Sequence, residues 1–176
     1  PLGLGGETTD DDIPAPTHAP LPPQLANSGL DRKYTVLRKL GEGGMGVVFL
    51  AYAPDDPRRE TPLALKVVLD LAKSADAAAR FKREILATSM CGHPNIIEIF
   101  DAAETDDGSY YMAMEYLEGE ELSDVLKRER RIDPKRVVTL MEQALEAMEA
   151  MHQASIVHRD IKPHNFRITT GDDGAE

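Results

Sequence analysis

The chain has 176 residues, 31 of them acidic and 20 basic. That is long enough for one domain with a real core, and a net charge of −11 argues against a nucleic-acid binder, which would show a basic stripe. The 41% hydrophobic and 29% charged content is ordinary for a globular protein, and no run of about eighteen apolar residues is present, so no membrane segment is expected within the chain. The sole cysteine, Cys91, excludes an intramolecular disulfide and fits a reducing compartment. Cys91-Gly92-His93 has too few neighbouring ligands for a zinc site. The sequence starts with Pro1 rather than Met and shows no signal-peptide pattern, so cropping or processing at the front is expected.

Residues 1–31 form one compositional block, with Pro14, Pro16, Pro20, Pro22, Pro23 and the acidic run Asp10-Asp11-Asp12. Prolines at that density break helices and ladders, and the block is expected to be a disordered leader. Residues 34–40 and 47–52 then read as strands on either side of Gly41-Glu42-Gly43-Gly44-Met45-Gly46. Glycine spacing of this kind also occurs in dinucleotide-binding folds, where it opens a helix. Here the β-branched pair Val47-Val48 continues as strand, and no GK[ST] follows, which excludes a Walker-type site. A plain glycine-rich hairpin turn stays open on these residues alone.

After a polar loop over 54–62, residues 63–69 read as a third strand with Lys66 as the odd residue in an apolar run. Burying an ammonium is costly unless it is paired. Ser74 is placed to cap a helix through residues 77–86, which carries Glu84. Two further strands are expected over 96–100 and 110–116, separated by a turn over 105–109, and a short helix over 122–128. Asp133-Pro134 supplies a cap and an N1 proline for a long helix, along which Val137, Leu140, Met141, Ala144, Leu145, Met148 and Met151 recur at helical spacing as a core stripe. Beyond it, His158-Arg159-Asp160-Ile161-Lys162-Pro163-His164-Asn165 sets a candidate base, a cation and a metal-binding amide at fixed spacing. That set is what phosphoryl transfer to a hydroxyl needs, because positioning and charge neutralisation dominate this chemistry.

These motifs, in this order, resemble the eukaryotic-type protein kinase family over residues 32–176, in a bacterial-like form, and Lys162 points to its serine/threonine branch. The resemblance implies an α+β, two-lobed fold: a small antiparallel five-stranded N-lobe with one helix over 32–115, then a hinge and the first part of a mainly helical C-lobe over 116–176. It implies ATP and Mg²⁺ as cofactors and a protein Ser/Thr hydroxyl as substrate, in a cytoplasmic catalytic region, with a membrane anchor in a longer parent left open. Gly41, Glu42, Gly43, Gly44, Met45, Gly46, Val48 and Ala64 would surround the nucleotide. Lys66 would hold its phosphates and pair with Glu84. Met114 would be the gatekeeper, the backbone of Glu115 and Leu117 would meet the adenine edge, and Glu121 would reach the ribose. Asp160 would accept the substrate hydroxyl's proton, Lys162 would offset developing charge, and Asn165 would bind Mg²⁺ through its amide oxygen. His158 would be a packed structural histidine, and Arg159 would answer a buried or phosphate charge.

Two departures from the family pattern stand out. The Asp-Phe-Gly motif, expected a little more than a dozen residues after Asn165, would fall just past Glu176. Asp172-Asp173-Gly174 lies in the turn after a short strand over 166–169 and does not replace it. Residues 1–176 alone are therefore expected to be inactive, and a pseudokinase or truncated nucleotide- or partner-binding scaffold is the alternative to the front part of a working kinase. Arg167 is the second departure, since the family has an apolar residue there, under the adenine ring.

Overall fold

The computed structural model describes residues 25–43, 46–55, 61–68, 85 and 91–170. Five strands form one antiparallel sheet: β1 (Thr35–Gly43), β2 (Gly46–Tyr52), β3 (Leu63–Val68), β4 (Ile99–Glu104) and β5 (Tyr110–Glu115), in the spatial order β1-β2-β3-β5-β4. Opposed residues in such a ladder share a face, and neighbours along a strand alternate. Val47↔Val67, Phe49↔Leu65, Leu65↔Ala113 and Val67↔Tyr111 therefore fall on one side. All six belong to the buried core. The alternate set, Val48↔Lys66↔Met112 and Leu50↔Ala64↔Met114, falls on the other side. The sheet thus separates what holds it together from what it presents.

One glycine at the tip has a geometric reason. Gly46 has φ 136°, and a Cβ there would sit 2.0 Å from the Val67 carbonyl oxygen. The strand return passes too close to β3 for any side chain.

Two expectations on the sheet need correction. The fourth strand is Ile99–Glu104, not 96–100. The Ile96 N–H bonds the His93 carbonyl at 2.9 Å, so a turn uses up the first apolar pair before the ladder starts. The leader expected through residue 31 also ends earlier. Leu25 and Leu30 are buried in the core cluster, the Asp106 N–H bonds the Ser28 carbonyl, and Arg32 pairs with Asp106. Two leucines after the last proline provide enough apolar surface to dock this stretch. The helix expected over 77–86 lies almost wholly outside the described residues; Ile85 alone is described there, helical and buried.

Beyond the sheet come β6 (Glu120–Glu121), α1 (Leu122–Glu129), α2 (Pro134–Gln153), a 3-10 turn (Pro163–Asn165) and β7 (Arg167–Ile168), which pairs antiparallel with β6. The α2 start is as predicted: Pro134 is the first helical residue, and the Asp133 carboxylate accepts from the Lys135 N–H at 2.9 Å. The apolar stripe is not all core. Ala144, Ala147 and Met151 are buried, while Val137, Met141 and Leu145 are exposed, Leu145 at 59%. Helical period identifies an apolar face without saying what covers it.

Candidate active site

The face of the sheet opposite the core carries the residues that the sequence singles out. Gly41 pairs with Val48, Val48 with Lys66, and Ala64 with Met114, so they stand side by side. Ala64 is buried; Val48, Lys66 and Met114 are half-buried. Glu42 is exposed and ion-paired with Lys39. Gly44, Met45 and Glu84 lie outside the described residues. Burial holds the Lys66 ammonium below its ordinary range, and the charge of Lys162 lowers it further. Two lysines from remote parts of the chain therefore converge, and such a pair favours an anion between them.

The loop after α2 assembles the second half of the site. Lys162 Nζ lies 2.8 Å from Asp160 Oδ2. Asn165 Nδ2 donates to Asp160 Oδ2 at 3.0 Å and to the Asp160 carbonyl at 2.7 Å. With its NH₂ committed to Asp160, the Asn165 amide oxygen has no competing role in these bonds and suits a hard cation such as Mg²⁺. The Lys162 and then the Asn165 hydrogen bonds hold the Asp160 carboxyl below the usual carboxylate range, so it is an ionised acceptor at neutral pH. His158 is exposed rather than packed; its Nδ1 accepts from the Asp160 N–H at 3.3 Å and helps set the loop's backbone. Arg159 takes a left-handed φ of 62°, an uncommon conformation for a side-chain-bearing residue.

The segment between the lobes is braced from both sides. The Glu115 N–H donates to the Glu98 carbonyl at 3.0 Å, and Glu115 Oε1 accepts from the Glu98 N–H at 2.7 Å. Glu121 is half-buried and accepts from Ser123 Oγ at 3.0 Å. Leu117 and Glu115 border a cavity of about 350 Å³ that extends beneath the hinge to Asn165, Arg167 and the Met141–Ala144 face of α2. Val48, Ala64 and Lys66 do not line it, so it is separate from the face that gathers the lysines.

Two contacts escape sequence reasoning. Asn95 Nδ2 donates to Gln143 Oε1 at 3.3 Å, joining the turn before β4 to α2. Gly119 has φ 141°, and a Cβ there would lie 2.1 Å from the Ile168 carbonyl oxygen. A glycine directly after the acidic hinge run was the available signal for the second.

Residues 34–173 match the model of the protein kinase domain family. The chain belongs to that family. Its relatives place this kinase domain in the bacterial serine/threonine branch. It is 39% identical over 145 residues to serine/threonine-protein kinase PrkC of Bacillus subtilis (strain 168), covering 82% of this chain and 22% of that protein. It is 37% identical over 146 residues to PknB of Mycobacterium tuberculosis (strain ATCC 25177 / H37Ra), covering 81% and 23%. The crystal structure of the M. tuberculosis PknI kinase domain superposes with a TM-score of 0.71 at 30% identity, over 79% of this chain and 55% of that one. The kinase domain described here thus spans under a quarter of the length of PrkC and PknB. The two-lobed kinase fold is established, with the five-stranded sheet as its N-lobe. Among the described residues no helix is long and apolar enough to cross a membrane.

Proposed function

We propose that this chain is part of an ATP-dependent protein kinase that transfers the γ-phosphoryl group to a Ser or Thr hydroxyl of a protein substrate in the cytoplasm. The observation that carries the reading is the convergence of Lys66, on β3, with the Asp160–Lys162–Asn165 cluster of the loop after α2. Relatives named as serine/threonine kinases support the same assignment.

The roles follow from the chemistry of each group. Lys66 and Lys162 bind the phosphates and neutralise charge that builds on the transferred group. Asp160, kept ionised by its neighbours, accepts the hydrogen bond of the attacking hydroxyl, orients its oxygen and takes its proton. Asn165 offers its amide oxygen to Mg²⁺, which supplies further charge neutralisation on the phosphates when bound. Val48, Ala64 and Met114 give the base an apolar slot, Glu115 and Leu117 present backbone groups to its edge, and Glu121 lies within the ribose end of the cleft. By the family resemblance, glycines 41, 43, 44 and 46, with Glu42 and Met45, are the proposed cover over the phosphates, and Glu84 is the proposed partner of Lys66.

Residues 1–176 contain no Asp-Phe-Gly, and on this reading they bind ATP through the groups named above but transfer no phosphate by themselves. Purified residues 1–176 should bind ATP, and Lys66→Ala should weaken that binding at least about tenfold, as expected for loss of a charge-assisted contact. The intact natural protein should phosphorylate Ser or Thr in a protein substrate and lose that activity on Asp160→Asn. Retention of activity in that variant, or transfer by residues 1–176 that depends on Asp160, would overturn these assignments.

A further inference from the structure

Arg167 stands where the family resemblance implies an apolar floor beneath the base, yet its guanidinium is turned away from such a role. It is exposed, and Nη2 donates to the Gly119 carbonyl at 2.8 Å. The same stretch is tied by the β6–β7 pairing, Glu121↔Arg167 and Glu120↔Ile168, and by the Leu122 N–H to the Phe166 carbonyl at 3.0 Å. Gly119 passes so close to Ile168 that only a hydrogen fits. The exit of the hinge is therefore stitched to the strand that leaves the catalytic loop two residues after Asn165.

We propose that Arg167 is a positioning residue that latches the hinge exit onto the catalytic loop and so sets affinity for the nucleoside end of the nucleotide. This rests on the nucleotide-binding reading given above. The chemistry is specific to arginine's reach. Three methylenes carry the guanidinium past the strand edge, and its charge strengthens a bond to a neutral carbonyl. A leucine at this position gives no such tie. The latch acts on Leu117 and Glu121, two residues either side of Gly119, and leaves the two lysines that hold phosphate untouched. It therefore separates base affinity from phosphate affinity.

Three ligands on the 1–176 chain test this: ATP, adenosine and inorganic tripolyphosphate, against the unaltered protein, Arg167→Met and Arg167→Lys. Methionine keeps much of the stem and loses the donor, whereas lysine keeps a cationic donor. Arg167→Met should weaken ATP and adenosine about threefold, the size expected for one exposed charge-assisted bond, and leave tripolyphosphate unchanged. Arg167→Lys should recover part of that loss. Amide hydrogen exchange provides a readout independent of ligand: the Leu122 N–H should exchange faster in Arg167→Met, with the Leu65 N–H of the sheet unaffected. Equal adenosine affinity in all three proteins, or a parallel loss for tripolyphosphate, overturns the latch while the nucleotide site stands. Failure of the unaltered chain to bind ATP overturns both.

Discussion

The five-stranded sheet and the α2–catalytic-loop region solve the same problem with different completeness. In the sheet, Leu65 and Ala113 are wholly inaccessible, and Leu25 from the preceding segment closes the core. In the second region, Leu145, Val157 and Ile161 stand more than half exposed, although this is where Asp160, Lys162 and Asn165 sit. Within the described residues the Asp160–Lys162 ion pair and the Asn165 hydrogen bonds set the local geometry of this loop, while Leu145 and Ile161 are left open in a chain that spans 55% of the PknI kinase domain. Such a loop keeps its internal order through Asp160, the partner of both Lys162 and Asn165.

The sharpest way to break this contrast is truncation on each side. Leu65→Ala should cost about 2–5 kcal/mol of stability by thermal or denaturant unfolding, since a buried leucine leaves a cavity. A cost near zero would mean that the sheet core is looser than its burial indicates. Next in size are the two glycines at close backbone approaches. Gly46→Ala and Gly119→Ala should each cost about 1–3 kcal/mol through strain at positive φ, more if the backbone cannot shift. If Gly119→Ala alone is tolerated, the β6–β7 pairing is softer than the β2–β3 pairing.

A smaller effect of opposite sign is expected at Lys66. Its ammonium is held below the ordinary lysine value of 10.5 by burial and then by Lys162. The folded chain thus binds this proton more weakly than the unfolded chain, and stability should rise as pH climbs from the lowered folded value to 10.5. Lys66→Met should remove that slope and leave the fold no less stable at neutral pH, while phosphate binding drops. A stability loss at neutral pH would place Lys66 among the groups that hold the N-lobe together. In the unaltered protein, affinity for tripolyphosphate should fall as pH rises through the lowered Lys66 value. The smallest effect belongs to Leu145→Ser, expected within about 0.5 kcal/mol because the side chain is exposed. A large loss there would show that α2 is covered in solution.

Much of the fold was legible because periodicity and turn chemistry agree. Lys66 within an apolar strand, the β-branched run after the glycines and the Asp133-Pro134 start each specify local structure without tertiary help. The fourth strand was misplaced because Ile96-Ile97 looks more strand-like than Asp101-Ala102-Ala103. Asp101 is instead tolerated there by bonds from Tyr111 Oη at 2.6 Å, on the neighbouring strand β5, and from Tyr34 Oη at 2.9 Å, just ahead of β1. The fate of the α2 stripe was illegible for a related reason, since amphipathicity marks a face and exposure depends on what meets it. At the site, residue types and order were readable from the motif, whereas the pairing of Asn165 with Asp160, the Arg167 latch and the approach of Lys162 to Lys66 required the folded chain.

The pair of hydrogen bonds between Glu98 and Glu115 has a mechanical consequence. Glu115 donates its N–H to the Glu98 carbonyl and accepts the Glu98 N–H through its own carboxylate, and a residue tied at two points to one neighbour resists twisting. Rotation of one lobe against the other is thereby displaced along the chain, away from the end of β5 and onto residues 116–118, ahead of the stretch that Arg167 and the β6–β7 pairing hold. The pivot then coincides with the stretch whose backbone is assigned to the purine edge, so opening and closing of the cleft would be felt first at the base and only afterwards at the phosphates.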